Sequence, residues 1–129
     1  MVLELAFRGF LSFNGLKNPE RSRRSAMRRL TIMRASGDPD DLLAAKREHI
    51  DPVIERRAGE FGNIFHVAVR TSDGMMVLNL WESAEGSEQA AQDPEIQAAR
   101  EAMAQSGAAE GPPQVEHYEV EDFRQPAEG

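Results

Sequence analysis

The three histidines of the chain are the side chains best suited to proton transfer near neutral pH. They are His49, His66 and His117. An imidazole has an ordinary pKa of about 6.5, so it can take a proton from a phenol or an enol. We predict two candidate catalytic bases: His66, which lies within an apolar run, and His49, which lies beside Ile50. The alternatives are a hydrogen-bonded structural histidine for His66 and a water-exposed helix edge for His49.

Asn79 and Trp81 lie close together in the second of two neighbouring apolar runs. A buried amide needs hydrogen-bond partners, so Asn79 could bind a ligand carbonyl or oxyanion, or it could bond to His66. Trp81, the single tryptophan, could stack on a substrate ring, although core packing alone would also justify its size. We predict both residues as substrate-binding candidates.

Arg34 and His117 complete the set of predicted substrate-binding residues. Arg34 could clamp a ligand carboxylate, or it could pair with Glu119 on a neighbouring strand. His117 lies between Glu116 and Glu119, and a charged run of this kind usually faces water. A solvated strand is therefore the alternative for His117.

The composition excludes several classes of site. The chain has no cysteine, which removes disulfides, thiolate metal sites and a cysteine nucleophile. The histidines lack the spacing of a metal motif, and no glycine-rich phosphate loop or nucleophile elbow is present. No apolar run approaches the roughly 20 residues of a membrane span. We therefore expect no metal, no cofactor and no membrane insertion.

Charge is distributed unevenly along the 129 residues. Residues 1–29 carry seven Lys or Arg against two acidic residues, whereas the other 100 carry eight against twenty. The acidic body argues against nucleic-acid binding and suits a cytoplasmic protein that binds a neutral or aromatic small molecule. We predict a flexible basic extension at residues 1–26, one domain at 27–124 and a tail at 125–129. A nucleic-acid-binding arm, or a natural start at Met27, are the alternatives for the extension.

The elements that must position these side chains follow from the apolar pattern. Asp73-Gly74 between two alternating runs, at about 63–71 and 75–82, predicts a β-hairpin. Helical patterns lie at about 39–59 and 84–105, and further strands at about 30–36 and 115–123. The order is β-α-β-β-α-β, which predicts an α+β, ferredoxin-like fold with a four-stranded antiparallel sheet and two helices on one face.

Three Asp-Pro pairs occur at the start of the two helical segments or within them. Asp38-Pro39 predicts a capped helix start, and Asp93-Pro94 predicts a cap within the second segment. Asp51-Pro52 interrupts the first segment, and we expect a kink there or a restart with Asp51 as the cap. After Asp93-Pro94 we expect three residues to face inward: Ile96, Ala99 and Met103.

Alternation sorts the strand residues into two faces of the sheet. One face is nearly pure hydrocarbon. The other mixes apolar residues with polar and aromatic ones, and we place on it Arg34, His66, Asn79, Trp81 and His117. Helices can cover only one face, so a second copy of the chain is the simplest cover for the other. The pattern predicts a homodimer joined sheet to sheet and leaves open which face meets the helices.

The βαββαβ order, the two-faced sheet and the Leu80-Trp81-Glu82-Ser83 end of the third strand resemble the antibiotic-biosynthesis-monooxygenase (ABM) type of dimeric α+β barrel. The resemblance covers about residues 27–123. It implies a pocket between sheet and helices, lined by the tryptophan that Trp81 matches. Members include cofactor-independent quinone-forming monooxygenases, haem-degrading monooxygenases and many small proteins of unknown role.

The resemblance to the haem-degrading members fails at their ligand positions. Those members use an asparagine on the first strand and a histidine on the second helix, where this chain has Met33 or Arg34 and no histidine. We therefore expect a cofactor-independent, monooxygenase-like enzyme that acts on an aromatic or polyketide-like substrate. The alternative is a homodimer without turnover, either binding a small hydrophobic ligand or serving a structural role.

Overall fold

The computed structural model describes residues 27–126 of the chain. The predictions for the extension at 1–26, and for the last three residues of the tail, lie outside this range. The elements follow the predicted β-α-β-β-α-β order, with each helical segment divided in two. The helices and strands are β1 (Arg29–Ser36), α1 (Pro39–Ala45), a π-helical turn (Lys46–Ile50), α2 (Asp51–Arg57), a 3-10 turn (Ala58–Phe61), β2 (Asn63–Thr71), β3 (Gly74–Trp81), α3 (Ala84–Gln92), α4 (Pro94–Gln105) and β4 (Gln114–Glu119).

The four strands form one antiparallel sheet in the order β2-β3-β1-β4. This confirms the α+β, ferredoxin-like prediction. The fourth strand is shorter than predicted, since it ends at Glu119. The Phe123 ring packs 6.3 Å from the Phe65 ring, measured between centroids. None of the helices in the described range is long and apolar enough to cross a membrane.

The β2–β3 hairpin forms where predicted, but its turn is displaced by one residue. Thr71 pairs with Gly74, so the loop consists of Ser72 and Asp73, and Gly74 is the first residue of β3. Gly74 is not among the glycines with positive φ. A Cβ atom at this position would lie 1.9 Å from the backbone oxygen of Ala35. Gly74 is therefore required by the close approach of β1 rather than by turn conformation.

The first helical segment begins as predicted and changes its hydrogen bonding near Pro52. The Asp38 side chain caps α1 by accepting the backbone N–H of Asp41 at 3.0 Å. Pro52 has no N–H to donate to the carbonyl four residues earlier, and its ring crowds that carbonyl. The chain responds with a π turn, in which the backbone N–H of Asp51 bonds to the carbonyl oxygen of Lys46, five residues earlier. The expectation of Asp51 as a cap is wrong, since its side chain pairs with Lys46.

Asp93 divides the second helical segment, as its sequence predicts. Its Oδ2 accepts the backbone N–H of Ile96 at 3.1 Å and the Nε–H of Arg57 at 3.2 Å. The hydrogen bond from Arg57 lowers the pKa of Asp93. This cap therefore also ties α2 to the start of α4. The three residues predicted to face inward are all buried: Ile96, Ala99 and Met103.

The helices cover the mixed face of the sheet. Leu42 and Ala45 of α1 and Met103 of α4 pack with Met75 and Val77 of β3. A second cluster joins Trp81 to Ala58, Ala90 and Ile96. Cross-strand partners share a face, so the register places on this side Thr31, His66, Asn79 and His117.

The opposite face, which we call the hydrocarbon face, also carries Arg34. Its apolar residues on β2 and β3 are Phe65, Val67, Val69, Met76, Leu78 and Leu80. Arg34 pairs in register with Met76 and Gln114, so the prediction that it shares a face with His66 is wrong. Its Nη2 lies 3.2 Å from Oε1 of Glu116, which replaces the expected partner Glu119. Alternation shows which residues of one strand share a face. Only the register between strands shows which residues of neighbouring strands lie on that same face.

Candidate functional site

A cavity of about 200 Å³ lies between the helices and the covered face of the sheet. Its helical wall is mainly apolar, and its sheet wall mixes apolar side chains with polar ones. Trp81 lies in the wall, as the resemblance implies. The other lining residues used below are Lys46, His66, Asn79, Arg100 and His117.

His66 and Asn79 form the hydrogen-bonded centre of the sheet wall. They are directly opposite each other on β2 and β3, and Nδ1 of His66 lies 2.7 Å from Oδ1 of Asn79. The same Asn79 oxygen accepts from Nδ2 of Asn63 at 3.2 Å. Nδ2 of Asn63 also faces the carbonyl oxygens of Phe65 and Leu80. Because Nδ2 of Asn63 faces only acceptors, both amides have one consistent orientation.

This network fixes the tautomer of His66. Since Asn79 presents its carbonyl oxygen, Nδ1 of His66 must carry the proton and donate it. Nε2 then has a free lone pair, and it is buried without a hydrogen-bond partner. Burial lowers the pKa of His66, which outweighs the opposite effect of the bond to Asn79. Burial therefore favours the neutral imidazole, whose Nε2 is an unpartnered base on a residue that lines the cavity.

Trp81 supplies the complementary polar atom. The residue is 4% exposed, and its Nε1 is the other buried side-chain nitrogen without a partner within residues 27–126. An unsatisfied buried polar group is costly, and each such group in a folded protein calls for a partner. Two residues of the cavity wall thus each have one polar atom without a partner: Nε2 of His66, which needs a donor, and the N–H of Trp81, which needs an acceptor. A ligand with a hydroxyl and a second oxygen would satisfy both.

Two cations line the cavity besides the histidines. Lys46 is 5% exposed and pairs with Asp51. The guanidinium group of Arg100 on α4 forms no hydrogen bond or ion pair with the part of the chain that the structure describes. His117 lies at a more exposed position, with Nδ1 3.2 Å from the Thr31 hydroxyl, and burial followed by the charge of Arg29 lowers its pKa. The cavity is suited to an electron-rich ligand.

The structure brings together four of the six predicted site residues. His66, Asn79, Trp81 and His117 all line the cavity. Arg34 lies on the other side of the sheet, and His49 is not among the lining residues. His49 lies in the π turn, with Nε2 3.9 Å from Oε1 of Glu48. In the described range, no group of three or more His, Asp or Glu side chains is arranged to hold a metal ion.

Sequence reasoning missed Asn63, Lys46 and Arg100. A β-bulge between Asn63 and Phe65 shifts the register of β2, and Asn63 thereby shares a face with Trp81 and Asn79. Simple alternation places Asn63 on the face of Phe65, so no pattern indicated it. The sequence does indicate Lys46, because it repeats at helical spacing with Leu42 and Leu43 on an apolar helix face.

Comparison with known proteins gives matches among solved structures alone. Neither a protein-family model nor a curated protein matches the chain. A Streptomyces coelicolor monooxygenase, solved in complex with nanaomycin D, is 19% identical with a TM-score of 0.61, covering 80% of this chain and 95% of that one. A candidate antibiotic biosynthesis monooxygenase from Caulobacter crescentus is 14% identical with a TM-score of 0.63, covering 81% and 100%.

Proteins of this shape also include one of unknown function. A Nitrosomonas europaea protein is 21% identical, with a TM-score of 0.60, and the match covers 81% of this chain and 99% of that chain. Similarity at this level of identity speaks for the fold, while function depends on the residues of the site. The chain therefore has the fold of the antibiotic biosynthesis monooxygenases.

Proposed function

We propose that the protein is a cofactor-independent monooxygenase that oxidises an aromatic or polyketide-like phenol or enol. The observation that carries the proposal is Nε2 of His66: a neutral, partnerless base held by Asn79 at the wall of a largely apolar cavity. A monooxygenase of the same fold was solved in complex with the ligand nanaomycin D, which supports a small-molecule ligand for this protein.

The proposed reaction begins with proton transfer to His66. Nε2 takes the acidic proton of the substrate, and the resulting anion passes one electron to dioxygen. The substrate radical and superoxide combine to form a carbon–oxygen bond, giving a peroxide anion that recovers the proton from His66. Loss of water across the carbon–hydrogen bond then gives the ketone. The balance is one CH₂ group and one O₂ converted to one C=O group and one H₂O, with dioxygen as the oxidant.

The remaining cavity residues hold the substrate. The Trp81 N–H donates to a substrate oxygen, and its ring forms part of the wall on which an aromatic ring can stack. Asn79 acts through His66, whose tautomer it fixes. His117 contributes at the more exposed side of the cavity. The proposal assigns no role to Arg34 or His49, because neither lines the cavity.

A turnover assay with labelled dioxygen tests this proposal. We expect the purified full chain, freed of metal by chelator, to convert an anthrone to the anthraquinone with one labelled oxygen atom per product. Mass spectrometry measures the labelled oxygen in the product, and an oxygen electrode measures the dioxygen consumed. Tight binding of anthrones, hydroxynaphthalenes and related phenols with no oxygen uptake would instead indicate a ligand-binding protein without turnover.

The proposed enzyme is a homodimer formed through the hydrocarbon face of the sheet. On this face Val67 is 44% exposed and Tyr118 is 49% exposed, which suits burial against a second copy. We expect sedimentation equilibrium to give the mass of a dimer, and Val67→Glu to shift it toward the monomer. Ala68→Glu is the matched control, since Ala68 is also exposed but points to the other face. A monomeric wild-type protein would contradict this assembly.

A further inference from the structure

Lys46 is the most deeply buried cation of the described chain that lines the cavity. Only 5% of the residue is exposed, and Lys46 lines the same cavity as His66. Among residues 27–126 its one partner is the carboxylate of Asp51. An ammonium group has three N–H donors, so two of them have no acceptor within that range. A buried charge with spare donors is suited to bind an anion.

The π turn is what brings Lys46 and Asp51 together. They are five residues apart, whereas side chains on a regular α-helix meet at spacings of three or four. The wider turn, with its Asp51 N–H to Lys46 carbonyl bond, aligns the two side chains. Asp51 is the more exposed partner, with 29% of its side chain in contact with solvent against 7% for Lys46. The geometry therefore leaves the cation inside and the carboxylate toward water.

We propose that Lys46 binds the oxyanion of the ligand once His66 has taken its proton. This inference rests on the proposed function and adds a residue to it. An anion in the cavity attracts the ammonium group, while Asp51 lies nearer to water, where its charge is screened.

The charged and titratable groups around the proposed anion are few. His66 faces it from β2, His117 from β4 and Arg100 from α4, while Lys46 and Asp51 belong to the π turn and the start of α2. The charges of Lys46 and Asp51 both act on His66, the first lowering and the second raising its pKa, so the pair lies close to the base. Asp51 is the single acid in this set, and it is neutralised by Lys46.

Ionisation of a bound nitrophenol measures this role without any need for turnover. The ionised form of the probe absorbs at longer wavelength, so its midpoint pH in complex with the full chain can be read directly. We expect the bound midpoint to lie below that of the free probe. In Lys46→Met it should rise by about one pKa unit, a tenfold change in the acid constant. An unchanged midpoint in Lys46→Met would overturn the proposal.

The double variant Lys46→Met, Asp51→Asn separates the direct effect of Lys46 from exposure of its partner. If Lys46 binds the anion, the midpoint stays raised when both charges are removed. A return to the wild-type midpoint would show that Lys46 merely neutralises Asp51, which contradicts the proposal. Melting temperatures of the same variants report the structural contribution of the ion pair separately.

His66→Asn distinguishes failure of this inference from failure of the proposed function. If the midpoint pH of the bound nitrophenol changes in Lys46→Met but not in His66→Asn, Lys46 binds the anion and His66 is not the base. If the midpoint pH changes in His66→Asn alone, His66 is the base and Lys46 does not bind the anion. If nitrophenol does not bind to the wild-type protein in either form, the cavity is not a phenol site and both proposals are rejected.

Discussion

His66→Asn should lower the turnover number by about 10²–10⁴-fold, the usual contribution of a positioned general base. The asparagine amide nitrogen occupies roughly the place of Nδ1, so the donor to Asn79 is kept while Nε2 is lost. The expected defect is therefore in proton removal rather than in the fold. Single-turnover oxidation of a bound substrate, together with the melting temperature, measures the two effects separately.

The pH dependence of the same reaction provides an independent signature. Only neutral His66 can accept a proton, so the rate must fall as the pH drops through the pKa of His66. Burial lowers this pKa, which places the acid limb below the ordinary value of about 6.5. Asn79→Asp puts a carboxylate beside Nδ1, where it favours the imidazolium ion. We expect that variant to shift the acid limb to higher pH.

His49→Asn is the comparison that decides between the two predicted bases. His49 does not line the cavity, so the substitution should leave both the rate and the acid limb unchanged. A large loss of rate in His49→Asn with little loss in His66→Asn would contradict the assignment. It would mean that the π turn rearranges when substrate binds.

Gly74→Ala is expected to lower the free energy of unfolding by at least about 3 kcal/mol, the upper end of overpacking effects. The new methyl group would lie 1.9 Å from the carbonyl oxygen of Ala35 and 2.9 Å from its carbon. Both atoms belong to the backbone of β1, so no side-chain movement can relieve the clash. Strands β1 and β3 must separate at Ser36, where Gly74 pairs. Urea unfolding followed by circular dichroism measures the loss.

Gly59→Ala is the matched control for this prediction. A Cβ atom at Gly59 meets nothing within 4 Å, and its φ is outside the range that disfavours alanine. We expect unchanged stability, or a gain of about 0.4–1 kcal/mol from the reduced freedom of the unfolded chain. Equal unfolding midpoints for the two variants would show that β1 and β3 do not approach as closely as described.

The order of elements and the centre of the site could be predicted because they depend on local signals. The hairpin between β2 and β3 has a short turn, so its register places His66 beside Asn79 without knowledge of the rest of the fold. The cap at Asp93 is equally local, since its side chain bonds to a backbone N–H three residues later. Such features are specified by neighbouring residues in the chain.

The features that escaped prediction depend on irregular backbone or on distant pairing. The predicted face of Arg34 is wrong because the register of β1 against β3 is set by tertiary packing. The bulge that brings Asn63 to Asn79 adds one residue to β2 and reverses the expected face of Asn63. The Asp73-Gly74 pair predicts the hairpin correctly. The sequence could not show that Gly74 is needed because β1 approaches it closely.

The π turn before Pro52 has a consequence for how this segment aligns with other proteins. A π turn accommodates one more residue than the α-helical path, and one residue corresponds to a rotation of about 100° along an α-helix. The residues before Lys46 and those after Ile50 therefore follow two different helical phases. A protein of this fold with a regular helix here should reach β2 with one residue fewer. Its alignment with this chain then needs a one-residue gap between Lys46 and Pro52, and an ungapped alignment would assign the wrong counterparts to the lysine that lines the cavity.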